Sequence, residues 1–198
     1  MKKLFASVCF IVLFNVSFGQ IEQGNWLVGG SGSFNTGTDS VSNYQNPSIS
    51  NQVKVKNNIN ISSDIGYFFI NKLAGGIKLN FSSKYAVYNP NSYERGGFLT
   101  VGPFIRYYFL NQDKEYNILL ESSYTIGNSL FSPKEIVKEL NFFAGPELFL
   151  NSVIGIEFLI GYNNNVDSRF DYNSNLIYKR VQNYFQINIG LQIYLIKN

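Results

Sequence analysis

The chain has 198 residues, with 16 Lys and Arg, 13 Asp and Glu, no histidine and one cysteine. Aromatics make up 17% of it and charged residues only 15%, well below the ~25% of an ordinary soluble domain. The charge balance is too even to attract nucleic acid or an acidic partner, and no cofactor is implied.

The chain opens with Lys2 and Lys3, an apolar run over residues 4–14, and Ser17-Phe18-Gly19-Gln20. A charged start, a short apolar stretch and small residues before the cut describe a signal peptide over residues 1–19. The run is shorter than the ~20 apolar residues that span a bilayer as a helix. Removal of this segment takes Lys2, Lys3 and Cys9 with it. The remainder, residues 20–198, is expected to form a single domain without disulfides or thiol chemistry.

Residues 24–34 form the first predicted strand, with Trp26, Val28 and Phe34 on one face. A polar stretch, 35–52, is expected to be a loop. Residues 53–70 carry the longest alternation. Val53, Val55, Ile59, Ile61, Ile65, Tyr67 and Phe69 are odd, against Lys54, Lys56, Asn58, Asn60, Ser62 and Asp64. Side chains alternate faces along a strand, whereas a helix would scatter these residues around its circumference.

After a tight turn at Asn71, residues 73–85 keep the same phase, with Leu73, Ile77, Leu79 and Phe81 opposed by Lys78, Asn80 and Ser82. A loop through Pro90 leads to residues 97–110, where Leu99, Val101, Pro103, Ile105, Tyr107 and Phe109 oppose Thr100, Gly102, Phe104, Arg106 and Tyr108. A short turn, 111–114, precedes residues 116–127. There Glu121, Ser123 and Thr125 oppose Ile118, Leu120 and Tyr124. A loop over 128–137 leads to 138–150, with Asn141, Gly145 and Glu147 opposing Leu140, Phe142, Ala144, Pro146 and Leu148. The turn at Asn151 leads to 154–162, where Glu157 opposes Ile156, Phe158 and Ile160. A last polar stretch, 163–180, is expected to be a loop. Residues 181–196 close the chain, with Phe185, Ile187, Ile189, Leu191 and Ile193 opposing Gln186, Asn188, Gly190, Gln192 and Tyr194.

The total is eight strands joined by alternating long and short connections, with no helical segment between them. An exported sandwich or soluble barrel and a transmembrane barrel both fit such alternation. Three features favour the membrane. The non-apolar face is rich in Gly, Ser, Asn and Gln, as suits a narrow interior. Aromatics gather near the strand ends, at Tyr67-Phe68-Phe69, Tyr107-Tyr108-Phe109 and Tyr194 and again at Tyr85, Tyr124 and Tyr162, as at two membrane interfaces. Short turns on one side and long loops on the other match periplasmic and extracellular ends. Lipid offers no partner for a free strand edge, so the first strand must pair with the last. The expected fold is an all-β, eight-stranded antiparallel up-and-down transmembrane barrel. Pro103 and Pro146 follow Gly102 and Gly145 inside strands. Proline cannot donate to a ladder, so a bulge or a break in pairing is expected at each.

The signal peptide, the stretch Val101-Gly102-Pro103-Phe104-Ile105-Arg106-Tyr107-Tyr108-Phe109 and the alternating last strand resemble the outer-membrane protein β-barrel domain family of Gram-negative bacteria. Within it, the small eight-stranded barrels of OmpA, OmpX and OmpW are similar. The resemblance implies an integral protein of the cell outer membrane, in contact with its lipid and inserted by the barrel-assembly machinery. Outer-membrane enzymes of similar size, the lipid A deacylases, palmitoyltransferases and omptin proteases, depend on histidine, which this chain lacks. Neither Ser-His nor Cys-His activation nor a nitrogen or thiolate zinc site is available after residue 19. No catalytic, cofactor or metal site is therefore expected. Asp39, Asp167 and Asp171 are more naturally solvated loop residues than cation ligands.

The inner face carries the interesting charges. A pairing sum of 142 across Asn71 sets Asp64 opposite Lys78, and a sum of 227 across 111–114 sets Arg106 opposite Glu121. A sum of 304 across Asn151 sets Glu147 opposite Glu157. The expectation is an interior network of Arg106 with Glu121 and at least one of Glu147 and Glu157, beside an Asp64–Lys78 pair. Inner Phe104, Phe143, Leu119 and Tyr108 either line a pocket or plug the lumen. The functional reading is a non-enzymatic barrel with a structural or adhesion-like role through its outer loops, 35–52 and 163–180 above all. Its alternatives are a narrow channel or small-ligand barrel, and an accessory subunit of an envelope secretion or assembly machine with a protein partner.

Overall fold

The computed structural model describes residues 20–43, 52–89, 92–132, 134–170 and 176–197, and the expected signal peptide over 1–19 lies outside them. The strands are β1 (Trp26–Asn43), β2 (Gln52–Ile70), β3 (Leu73–Asn89), β4 (Ser92–Tyr108), β5 (Tyr116–Ser129), β6 (Glu135–Phe149), β7 (Ile154–Phe170) and β8 (Leu176–Leu195). Each pairs antiparallel with its neighbours in sequence, and β1 pairs with β8 to close the barrel. No described helix is long and apolar enough to cross a membrane.

The strands run 14 to 20 residues, longer than the ~9–11 that span a bilayer. The surplus lies where loops were expected. Of the expected loop 35–52, residues up to Asn43 belong to β1, and Gln52 starts β2. Of the expected loop 163–180, residues up to Phe170 belong to β7 and those from Leu176 to β8. The remainders, 44–51 and 171–175, lie outside the described residues. Backbone pairing does not need apolar side chains, so a ladder continues after the polar–apolar alternation has ended. The alternation marks only the stretch with unlike surroundings on its two faces.

The burial pattern is inverted relative to a soluble protein. Outward Ile77 is 63% exposed and Phe185 75%, whereas inward Arg106 and Glu121 are fully buried. Outward aromatics pack edge to face in pairs at the short-turn end. Ring centroids are 5.2 Å apart for Trp26–Tyr67, 5.7 Å for Tyr67–Phe69 and 5.0 Å for Tyr107–Phe109. Phe68, Tyr108 and Tyr194, grouped with that belt in the sequence reading, are buried inside the barrel, on the inner face that strand phase alone gave Tyr108 and Tyr194. Their parity in the strand outranks their aromatic character. The Tyr85 side chain lies outside the described residues.

The prolines break pairing on one side each. β4 and β5 pair from Phe98↔Ser129 to Val101↔Ile126, and again from Phe104↔Ser123 onward in the same register. On its other edge Pro103 stays opposite Ile77. Pro146 likewise stays opposite Ile118, while pairing of β6 with β7 lapses between Ala144↔Ile160 and Glu147↔Glu157. Each proline turns its missing donor toward the lapsed edge. The preceding glycine lets the strands approach closely, since a Cβ at Gly102 or Gly145 would collide with the carbonyl of Tyr124 or Phe158.

Candidate functional site

An eight-stranded barrel has an interior just wide enough for side chains to fill. Inner glycines decide how this one is filled. The carboxamide of Gln192 lies across Gly29, the Glu157 carboxylate across Gly190 and the Glu147 carboxylate across Gly155. The ring of Phe143 lies across Gly161, and the tip of Phe104 reaches Gly66. In every case a Cβ on the glycine would occupy the same space as the long side chain. Large residues therefore fold sideways over small ones, and the lumen fills without the backbone widening.

The three expected pairings are present: Asp64↔Lys78, Arg106↔Glu121 and Glu147↔Glu157. The guanidinium of Arg106 lies at the centre. Its Nε donates to Glu121 Oε2 at 2.9 Å, its Nη1 lies 3.1 Å from Glu157 Oε2 and its Nη2 3.4 Å from Asp64 Oδ2. Lys78 bonds the other oxygen of Glu121 and lies 3.6 Å from Asp64 Oδ2. The two cations thus share the same carboxylates in one cluster, rather than forming separate pairs. Both also lie over the Phe104 ring, Lys78 Nζ at 5.6 Å and Arg106 Cζ at 5.9 Å from its centroid. A buried charge is tolerable only when paired and hydrogen-bonded. The planar fork of arginine suits a site with carboxylates on several sides.

Glu147 is held differently. Although opposite Glu157 in register, it makes no ion pair with Arg106. Arg106 Nη1 donates to Tyr108 Oη at 3.4 Å, the Tyr108 and Tyr194 hydroxyls are 2.9 Å apart, and Tyr194 donates to Glu147 Oε1 at 2.6 Å. A guanidinium only donates and the Tyr194 hydrogen is given to Glu147, so Tyr108 donates to the Tyr194 oxygen and the chain runs one way, from Arg106 to Glu147. Sequence reasoning put Glu147, Tyr108 and Tyr194 on the inner face but did not join the two tyrosines to the network. Their even positions on β4 and β8, in phase with Arg106 and Gln192, are the signal that points them inward.

Below the cluster, at the short-turn end, the lumen is plugged. Phe68, Tyr108 and Tyr194 pack as tilted rings, 5.8 and 6.2 Å between centroids, and Phe149 meets Tyr194 at 5.6 Å. Leu27, Ala74, Leu119 and Leu159 complete the apolar layer. Ile21, ahead of β1, is fully buried in it as well. The segment carrying Ile21 is tied across the mouth. Lys72 N donates to Ile21 O at 2.8 Å, Gln20 Nε2 to Asn151 O at 2.9 Å and Lys197 N to Asn25 Oδ1 at 2.9 Å. Among the inner residues weighed as pocket or plug, Tyr108 and Leu119 belong to this plug.

Above the cluster lies a polar chamber walled mainly by asparagine and serine. Its acidic residue, Glu139, was not singled out from the sequence, although it shares the phase of Asn141 and Glu147. Glu139 Oε2 accepts from Asn80 Nδ2, Thr100 Oγ1 and Thr125 Oγ1, each at 3.1 Å, and Oε1 accepts from Asn165 Nδ2 at 3.3 Å. Asp167, expected in a loop, is instead buried on β7 opposite Arg180, and the Asp39 and Asp171 side chains lie outside the described residues. Among the described residues no group of three or more His, Cys, Asp or Glu is arranged to hold a metal ion.

The barrel is similar to the outer membrane protein OprG from Pseudomonas aeruginosa. The TM-score is 0.61 at 9% identity, covering 89% of this chain and 98% of that one. Neisserial surface protein A scores 0.48 at 14% identity, with 86% and 97% covered. The N-terminal β-barrel domain of OprF from Pseudomonas aeruginosa scores 0.43 at 8%, with 87% and 98% covered. The likeness to OprG establishes a shared fold and nothing further, and the two lower scores carry no argument. No family model and no curated protein matches the chain.

Proposed function

We propose that this chain is an integral outer-membrane barrel that performs no catalysis and contributes to the envelope by its presence and by the surface its long loops display. The observation that carries this reading is the inversion of faces. Isoleucine, leucine and phenylalanine cover the outside of β2 to β8, and the Arg106 cluster is shut inside. Only a bilayer stabilises that arrangement, because an exposed apolar belt this large in water drives aggregation. The closed sheet, which leaves no edge in lipid, agrees with it.

Residues 20–25 and 195–197 lie at the short-turn end, which this reading places in the periplasm. Insertion then calls on the barrel-assembly machinery, and the ends of β1, β2, β7 and β8 opposite the short turns face outward. The filled lumen favours a structural and surface role over a pore. An ion crossing it would have to pass both the Arg106 cluster and the aromatic plug.

Fractionation and protease treatment of intact cells test the reading. The protein should float with the outer membrane, and its unboiled form should migrate anomalously in SDS gels. Added protease should cut near 44–51 or 171–175 and spare 111–114. Recovery in the soluble periplasmic fraction, or cutting at 111–114 alone, would overturn it.

A further inference from the structure

The outer wall of the barrel carries a groove that its own side chains do not fill. It runs down β2 and β3 toward the short turns, with a volume of about 550 Å³, inside the ~300–1,000 Å³ of small-molecule sites. Ile65 and Phe69 line one side, Ile77 and Leu79 the other, and Ser63 keeps the upper end open. Gly75 puts no side chain between Tyr67 and Ile105, so the Phe69 ring folds down over it and leaves the wall hollow. The lining is reachable, with Ile65 55% exposed, Ile77 63% and Phe69 53%. Trp26, Tyr67 and Phe69 stand edge to face along the lower half, 5.2 and 5.7 Å between centroids. Tryptophan and tyrosine gather at the level of lipid headgroups, so the groove starts at an interface and rises among acyl chains.

A second cavity, of about 400 Å³, opens at the rim below. Both borders of the groove lead into it. Asn71 lies two residues beyond Phe69, about 7 Å of strand, and Glu22 lies four residues before Trp26. The Gln23 N–H donates to Asn71 Oδ1 at 2.8 Å and ties the two segments together. Lys72, Glu22 and Asp113 bring one positive and two negative side chains to the cavity. Glu22 and Asp113 are exposed and Lys72 is half-buried. Lys72 has φ 71°, the left-handed region that glycine or asparagine usually fills. Its carbonyl accepts from Tyr108 N at 2.9 Å and its ammonium donates to Asn111 Oδ1 at 2.9 Å, so the charge is held at the cavity by neutral partners. Asp113 faces Lys114 at 3.9 Å, too far for a hydrogen bond.

We infer that the groove and the rim cavity together hold one zwitterionic phospholipid whose headgroup ends in a primary ammonium. An acyl chain lies in the groove, the phosphate meets Lys72, and the ammonium meets Glu22 and Asp113. The inference rests on the membrane-barrel reading above, which puts both cavities in the periplasmic half of the bilayer. A phosphate without the ammonium would face two carboxylates with nothing to offer them. A choline headgroup carries the positive charge but has no N–H to donate. A second copy of the chain would present a convex wall of branched side chains, whereas an acyl chain bends into a groove.

Trp26 is the only tryptophan of the chain and lines the groove, so bromine on a bound acyl chain quenches its fluorescence by contact. The whole exported chain is refolded into phosphatidylcholine vesicles. Phosphatidylethanolamine, phosphatidylglycerol or phosphatidylcholine with dibrominated acyl chains is then added in rising fractions. Half-quenching by the ethanolamine lipid is expected at a mole fraction about tenfold below that of the choline lipid, the effect of one charge-assisted hydrogen bond. Lys72→Gln, at the exposed turn, should move the ethanolamine curve onto the choline curve. Ser63→Phe, which fills the groove from the lipid-facing side, should do the same without touching the rim. Three lipids that quench alike in proportion to their mole fraction would mean ordinary boundary lipid and overturn the inference. Stronger quenching by the glycerol lipid, or a preference unchanged in both variants, would also overturn it. A heat-modifiable barrel whose Trp26 no lipid quenches has its groove covered by another copy, which sinks the lipid site alone. A chain that forms no such barrel sinks the reading beneath it.

Discussion

Tyr194 and Glu147, 47 residues apart in sequence, meet inside the barrel with the phenol hydroxyl 2.6 Å from Oε1. Through Tyr108 that bond links Glu147 to Arg106, so a carboxylate out of the arginine's reach still shares its charge. Tyr194→Phe removes the link with almost no change of volume. It should cost about 1.5–3 kcal/mol, the range for a hydrogen bond to a charged group. Adding Glu147→Gln should recover part of the loss in a urea refolding titration. Full additivity of the two changes would mean that they do not interact.

Arg106→Met leaves Glu121, Glu157 and Asp64 without their shared cation in a region closed to water. Breaking a buried pair by removing one partner costs ~3–5 kcal/mol. The same titration should place Arg106→Met in that range, and Arg106→Met with Glu121→Gln closer to wild type. A single variant as stable as the parent would show that the cluster contributes nothing to stability.

Ile189 points outward from the middle of β8 and is 57% exposed, while its neighbour Asn188 points inward. Ile189→Arg should cost about 2–4 kcal/mol if the residue sits at the bilayer midplane. Asn188→Ala, which removes the acceptor of one hydrogen bond from Gln186, should cost about 1 kcal/mol. Refolding into lipid vesicles compares the two, and equal losses would contradict the assignment of the outer face to lipid.

Gly161 gives its space to the Phe143 ring. Gly161→Val forces that ring out of its place, an overpacking cost of about 1–3 kcal/mol. Gly161→Val combined with Phe143→Ala should be better tolerated than Gly161→Val alone. Heat-modified gel mobility and urea midpoints report both variants.

Strand number, strand phase and the identity of the inner residues were legible in the sequence. The reason is physical. Side chains in a strand alternate strictly, and two unlike solvents on the two faces write that alternation into residue types over residues 53–85 and 181–196. Short turns then leave few registers, so the pairings of Arg106 with Glu121 and Glu147 with Glu157 followed from counting. The extent of β1, β2, β7 and β8 beyond residues 34, 53, 162 and 181 did not follow, because a ladder with both faces wet has no period to show. The inward turn of Tyr108 and Tyr194 followed from their parity, whereas that of Phe68 was masked by the habit of aromatics to mark an interface. What only the tertiary structure decided are the contacts across the lumen: Arg106 with Glu157, Tyr108 with Tyr194, and Ile21 in the plug. These depend on the stagger with which the sheet closes and on which glycines yield room to which long side chains. Neither quantity is local, so neither is written in any one strand.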